Sequence, residues 1–235
     1  MSGLTKILNS SITKKFLMAV TGLAWVGFVI SHLLGNLTLY LPGGQAFNEY
    51  AYALESLGVL LYVAEIGLVL LLLTHVFTAI NLRRSNAAAR TTDYAHPLKS
   101  KGGPSKSNAS SLYMIISGSI LLIFIVFHIW HFKYGPGVAE SYVVSYGNGE
   151  IRDLYRLVVE SFKDPAVVIF YSVAVLFLGL HLRHGFWSAF QSLGLIYPGI
   201  SNALYSAAIV IATLLAFGFL FIPVYIYFFV PLPGV

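Results

Sequence analysis

The chain has 235 residues, of which 57% are hydrophobic and only 10% charged, with a mean hydropathy of +0.79. Too few charged groups remain to cover a water-soluble domain of this size, so lipid must serve as the outer solvent of a polytopic membrane protein. Cysteine is absent, which excludes thiolate-held iron–sulfur clusters, Cys-ligated zinc, covalent c-type haem attachment and disulfides. The net charge of +5 is small and placed by topology, so it gives no ground for a nucleic-acid function.

A short polar lead from Met1 to Lys15, with Lys6, Lys14 and Lys15, precedes the apolar run 16–41. Secretory h-regions are about 7–15 residues long, and this run is longer and lacks an A-x-A site, so it is predicted to be the first spanning helix. After Pro42-Gly43-Gly44, residues 45–57 form a polar, partly helical connection with Glu49 and Glu55. The second span, 58–82, contains Glu65 and His75 and ends at Arg83 and Arg84. A basic loop, 83–111, carries Arg90, His96, Lys99, Lys101 and Lys106 among the breakers Pro97, Gly102, Gly103 and Pro104. The third span, 112–133, holds His128 and His131. The connection 134–165 is rich in turn residues at each end and has room for a short amphipathic helix from Ile151 to Phe162. The fourth span, 166–190, holds His181, Arg183 and His184. The fifth, 204–230, has no histidine and a kink expected at Pro223. The expected fold is an all-α membrane protein, a single membrane domain over 1–235 with five transmembrane helices, and the sequence shows no evident repeat.

Charge asymmetry orients these spans. With the N-terminus inside, ten Lys and Arg fall on the cytoplasmic side and four, Lys133, Arg152, Arg156 and Lys163, on the outer side. That favours a cytoplasmic N-terminus, a cytoplasmic loop 83–111 and an outer loop 134–165.

Each of the first four spans carries a deep histidine, and an ionisable side chain inside a bilayer costs a few kcal/mol unless it has a partner. Helices one and three run outward and carry His32 and His128 late, near the outer face; helices two and four run inward and carry His75 and His181 near the cytoplasm. At about 1.5 Å per residue the two levels lie roughly 10–20 Å apart. Imidazole nitrogen suits iron, and two imidazoles saturate both axial positions of a haem, which makes an electron carrier rather than an oxygen site. The expected core is therefore a four-helix bundle around two haems, with each ligand's Nδ1–H given to a backbone carbonyl one turn back. Small residues, Gly27 and Gly35 near His32, Thr78 and Ala79 near His75, Gly118 in helix three and Gly185 after His181, leave room for a flat macrocycle, although they also serve ordinary helix packing. His131 and His184 share a helix face with His128 and His181, so periodicity alone leaves either member of each pair open as ligand. Their interfacial depth suits them to the haem propionates, with Arg183, Lys14 and Lys15 as cations on one side and Trp130 and Lys133 on the other. A solvated histidine is the plain reading for His96.

The segments GLAWVGFVISHLL, QAFNEYA, LLLTHVFTAI, GSILLIFIVFHIWHFK and LGLHLRHGFWSAF, in that order, resemble the cytochrome b membrane anchors of succinate:quinone oxidoreductases, of the single-chain, five-helix, two-haem kind found with menaquinone-using succinate dehydrogenases and fumarate reductases. The resemblance implies two haem b groups, the distal one on His32 and His128 and the proximal one on His75 and His181, and so favours His128 over His131 and His181 over His184. It implies a bacterial cytoplasmic membrane, partnership with a flavoprotein subunit and an iron–sulfur subunit on the cytoplasmic face, and a quinone, menaquinone in this family, at the outer side; it allows a higher oligomer of the complex. The basic loop could form part of the docking face. On this reading electrons pass from the iron–sulfur subunit through both haems to quinone. Two protons are then needed near the distal haem, with Glu49 the leading catalytic candidate ahead of Glu55 and His131. Some fumarate reductases of this family carry a glutamate in helix four just before the proximal ligand. Here Leu178, Gly179 and Leu180 occupy that neighbourhood, which puts a proton path through it in doubt. Glu65, the one carboxylate within a span, either relays protons or snorkels outward. Alternatives are the cytochrome b of a hydrogenase or formate dehydrogenase, and a transporter whose histidines bind protons or metal without haem.

Overall fold

The computed structural model describes residues 10–88, 99–100, 103–104, 113–135, 142–146 and 149–232. Lys6 and most of the basic loop, including Arg90, His96, Lys101 and Lys106, lie outside the described residues, as do residues 136–141 and 147–148.

Five described helices are long and apolar enough to cross a membrane. The first, α1 (Ser11–Asn36), starts earlier than its apolar run because the Ser10 side chain caps it, accepting from the Thr13 N–H at 3.1 Å, and it tightens into a 3-10 turn, Leu37–Tyr40. A short helix, α2 (Gln45–Glu55), follows, and then the second span, α3 (Val59–Ala88). Two-residue strands β1 (Lys99–Ser100) and β2 (Gly103–Pro104) pair in the basic loop. The third span, α4 (Met114–Ile129), runs on as a π-helical turn, Trp130–Tyr134. A hairpin of β3 (Val143–Tyr146) and β4 (Gly149–Arg152) leads to α5 (Leu154–Ser161). The amphipathic helix expected over 151–162 is thus shorter, because Ile151 and Arg152 pair with Val144 and Val143 and the Asp153 side chain opens the helix by accepting from Arg156 N–H. Asp164 caps α6 (Pro165–Ser192), with proline at its first position. The last helix, α7 (Ser201–Phe229), carries Pro223 within its length.

The spanning helices alternate in direction, so one end of the bundle holds the start of α1 and the other holds α2, the β3–β4 hairpin and α5. These are the near and far ends. Helices α1 and α6 pack side by side, α3 packs on α1, α4 packs on α6, and α7 covers α6 and part of α1. The α6–α7 seam is close because small residues line it: a Cβ on Gly179 would meet Ala216 Cβ at 2.8 Å. By contrast α3 presents large apolar side chains outward, with Val59 77% and Phe77 71% exposed, as a helix bathed in lipid does.

The far end is closed by a packed cap. Phe47, Val158, Val159 and Phe162 join Leu39, Tyr171, Ile222 and Ile226 in one buried cluster. Asn48 is buried at its centre, its Nδ2 donating to Asp153 Oδ1 (2.8 Å) and Tyr146 OH (3.3 Å) and its Oδ1 accepting the Tyr155 N–H (2.8 Å). One amide thereby ties α2, the hairpin and α5 together.

Candidate functional site

The order α3–α1–α6–α4 places α1 diagonally opposite α4 and α3 diagonally opposite α6. Across these diagonals the deep histidines meet in couples. The rings of His32 and His128 are 5.8 Å apart between centroids toward the far end, and those of His75 and His181 are 6.4 Å apart toward the near end. Ring planes within each couple are steeply inclined, by 83° and 62°.

The near couple is held by hydroxyls. Thr21 on α1 is buried and its Oγ1 lies 3.2 Å from His75 Nδ1; Ser117 on α4 is buried and its Oγ lies 3.1 Å from His181 Nδ1. Each hydroxyl is followed by a glycine against the same imidazole: a Cβ on Gly22 would stand 3.2 Å from His75 Cε1, and one on Gly118 would stand 3.4 Å from His181 Cε1. The Nδ1 of His181 therefore looks to a side-chain oxygen on a neighbouring helix, and His75 looks to Thr21 together with the Met18 carbonyl of that same helix, rather than either ring to the carbonyl one turn back expected from the sequence; Thr and Ser can turn their own proton back onto their helix and still offer a lone pair.

The far couple is held differently. Each imidazole stacks on the phenylalanine four residues before it, His32 on Phe28 and His128 on Phe124, both at 5.5 Å, and His32 also meets Phe219 of α7. Asn36 Nδ2 donates to the His32 carbonyl at 2.8 Å and lies 3.5 Å from the ring nitrogens. The buried Tyr171 hydroxyl stands between two histidines, 3.1 Å from His131 Nδ1 and 3.4 Å from His128 Nδ1.

With that geometry in hand, comparison with known proteins is informative. A succinate dehydrogenase cytochrome b558 subunit of Bacillus subtilis (strain 168) is 26% identical over 176 residues, which cover 73% of this chain and 75% of that protein. The chain thus resembles a succinate dehydrogenase cytochrome b subunit over about three quarters of each sequence. No protein-family model matches it, and no solved structure matches it.

The remaining candidate residues are scattered. Glu49 is exposed on α2 and accepts from Gln45 Nε2 at 2.8 Å; Glu55, the last residue of α2, is exposed too. Glu65 does not snorkel to water alone, since it pairs with Lys133 from the π-helical turn. That contact bridges α3 and the end of α4. Arg183 donates from Nη2 to Tyr205 OH at 3.2 Å, and its buried Nε has no hydrogen-bond partner among the described residues. His184 lies half-buried one turn beyond His181, and Lys14 and Lys15 stand in the first turn of α1. Of the small residues singled out from sequence, Gly118 faces a histidine, Gly35 instead faces Tyr50, and a Cβ on Gly27 or Gly185 would meet nothing within 4 Å.

Sequence reasoning missed Thr21, Ser117 and Tyr171. It also missed a repeat. Thr21, Gly22, Trp25, Phe28 and His32 on α1 recur at the same offsets as Ser117, Gly118, Leu121, Phe124 and His128 on α4. The spacing of hydroxyl, glycine, phenylalanine and histidine was there to be found, but the segments between diverge enough to hide it.

Proposed function

We propose that this chain is the di-haem cytochrome b membrane anchor of a succinate:quinone oxidoreductase, passing electrons from an iron–sulfur subunit toward quinone, menaquinone in the form the sequence resemblance favours. The observation that carries the reading is the pair of imidazole couples, one at each end of one bundle, each spanning a diagonal.

The donor chemistry fits haem. Two imidazole–metal bonds of about 2 Å each, with one ring radius at either side, call for centroids roughly 6 Å apart, and the couples stand at 5.8 and 6.4 Å. Among the described residues no three His, Asp or Glu side chains gather into a metal-binding group. Two imidazoles alone hold a bare ion poorly, but they complete an iron whose other four ligands come with its macrocycle. His32 and His128 would hold one haem b, and His75 and His181 the other. When bound, each supplies one-electron redox chemistry, which is what joining a dehydrogenase on one membrane face to a quinone near the other requires.

The protein's part is to place those groups and manage protons. The near end, with Lys14, Lys15, Arg83 and Arg84 flanking its helices, is the proposed cytoplasmic face and dock for the flavoprotein and iron–sulfur subunits of a bacterial complex. His131, His184 and Arg183 are the proposed partners of haem propionates, which Arg183 Nε, buried and unbonded among the described residues, is free to meet. Quinone belongs at the far end. Its two protons have candidate sources in Glu49 and Glu55, both exposed on the cap, and in the Glu65–Lys133 pair, with Glu49 the leading candidate.

Reduced-minus-oxidised absorption of the purified protein tests the reading, with two b-type haems per chain expected. His75→Ala or His181→Ala should remove one haem, and His32→Ala or His128→Ala the other. Protein without haem sinks the proposal. Co-purification of a flavoprotein separates a succinate dehydrogenase anchor from the cytochrome b of a hydrogenase or formate dehydrogenase.

A further inference from the structure

The hydroxyl–glycine pairs on α1 and α4 do the same job twice. In each, the hydroxyl proton goes to the helix's own backbone, Thr21 Oγ1 donating to the Leu17 carbonyl at 2.7 Å and Ser117 Oγ to the Met114 carbonyl at 3.1 Å. A hydroxyl has one proton and two lone pairs. With its proton given to the carbonyl, the hydroxyl accepts from the imidazole, which places the hydrogen of His75 and of His181 on Nδ1. That leaves Nε2 with its lone pair, the form a metal ligand needs. Carbonyl, hydroxyl and Nδ1–H make a short relay that runs in one direction, with the Met18 carbonyl a second acceptor beside His75, and both hydroxyl residues are buried, Thr21 4% and Ser117 3% exposed.

The glycine that follows each hydroxyl lets the ring approach. A larger side chain at Gly22 or Gly118 would occupy the place of the imidazole edge, 3.2 and 3.4 Å from the added Cβ. The far couple lacks this device: its Nδ1 neighbours are the Asn36 amide and the Tyr171 phenol that is shared with His131.

We infer that Thr21 and Ser117 are positioning residues that fix the tautomer and orientation of His75 and His181 and thereby set the redox potential of the near haem apart from that of the far one. The inference rests on the bis-histidine reading. A lone pair of the hydroxyl drawing on Nδ1–H pushes electron density toward Nε2, favours ferric iron and lowers the potential. Because the same arrangement faces the two imidazoles from two different helices, either hydroxyl acts on the same haem. The recurrence at equal offsets also sets the distance between levels. Thr21 and Ser117 mark the near level, His32 and His128 the far one, and the offset of eleven residues on each helix amounts to about 16 Å.

The test is spectroelectrochemical titration of the purified intact complex carrying Thr21→Val, Thr21→Ser, Ser117→Ala or Ser117→Thr, with the low-spin ferric resonance spectrum of each haem as a second readout. The expected result is that Thr21→Val and Ser117→Ala raise the midpoint potential of one and the same haem and move its ferric spectrum, leaving the other haem unchanged, and that Thr21→Ser keeps the parent values. A variant that loses that haem altogether supports the inference when Thr21→Ser retains it. Both haems present with potentials indifferent to both hydroxyl deletions, or Thr21→Ser behaving like Thr21→Val, overturns the inference while leaving the ligand assignment standing. Parent protein without haem overturns the ligand assignment and this inference with it.

Discussion

At the scale of single residues, the interior polar groups divide into those with definite partners, such as Asn48, Thr21 and Ser117, and the nitrogens Trp25 Nε1, Arg152 Nε and Arg183 Nε, which have none among the described residues. Asn48 satisfies an aspartate, a tyrosine and a backbone N–H at once. Asn48→Ala strands the Tyr155 N–H and an acceptor oxygen of Asp153 in a buried cap, so the variant should lose about 2 kcal/mol of stability, read as a lowered melting temperature of the detergent-solubilised protein. Gly22 and Gly118 are set by what stands against them. Gly22→Leu should displace the His75 imidazole and, on the proposed two-haem reading, cost the near haem while the far haem stays; retention of both in the difference spectrum would show that the ring has more room than its 3.2 Å contact indicates. The histidines themselves were legible in sequence because each interrupts an apolar run. Thr21 and Ser117 were not, since a threonine or serine in a spanning helix commonly bonds its own backbone, and only the tertiary fold brings a second group to its oxygen.

At the scale of elements, helix ends and the far cap carry the electrostatics outside the membrane. Lys163 Nζ donates to the carbonyls of Ile226 (2.8 Å) and Tyr227 (3.0 Å), meeting the unsatisfied C-terminal end of α7 with a positive charge. Lys163→Met should cost about 1–2 kcal/mol, measurable by thermal unfolding, and protection of the last turn of α7 from hydrogen exchange should fall with it. On α5, Glu160 is partly desolvated, which raises its pKa, but hydrogen bonds from Tyr142 and Arg156 outweigh this and hold the carboxyl below its ordinary value. Its contribution to stability is therefore present above the ordinary carboxylate range and is lost as pH falls through the lowered folded value. Acidification through that window should loosen β3 and α5 in the parent protein, with hydrogen exchange as readout, and Glu160→Gln should flatten the dependence. Arg156 is 46% exposed and Glu160 30%, so the effect is small and shrinks in high salt. Element existence was readable from apolar run length, whereas the β3–β4 hairpin that shortens the expected amphipathic helix depends on pairing that no local pattern announces.

At the scale of the whole molecule, the diagonal arrangement matters most. Helices α3 and α4 flank α1 and α6 and are joined at the far end by the Lys133–Glu65 pair. In a low-dielectric surrounding, removing one member leaves an uncompensated charge. Glu65→Gln and Lys133→Met should each destabilise more than the double replacement, with a coupling of roughly 1–2 kcal/mol; additive single effects would mean that the pair is not joined in the membrane. The same view explains why α3 can be apolar on most of its surface, apart from Glu65 and His75: it has a neighbour on one side and lipid on most others.

Composition together with the order and length of the apolar runs determined that this is a membrane protein, that five helices are long and apolar enough to cross a bilayer, and which four histidines lie within those runs. Run length against bilayer thickness and the cost of burying an imidazole decide those points without reference to any other part of the chain. Which histidine faces which, and what holds its second nitrogen, was decided only by the tertiary structure. Two helices can share a depth without sharing a face, and a hydrogen bond between α1 and α3 depends on a crossing that neither sequence segment contains.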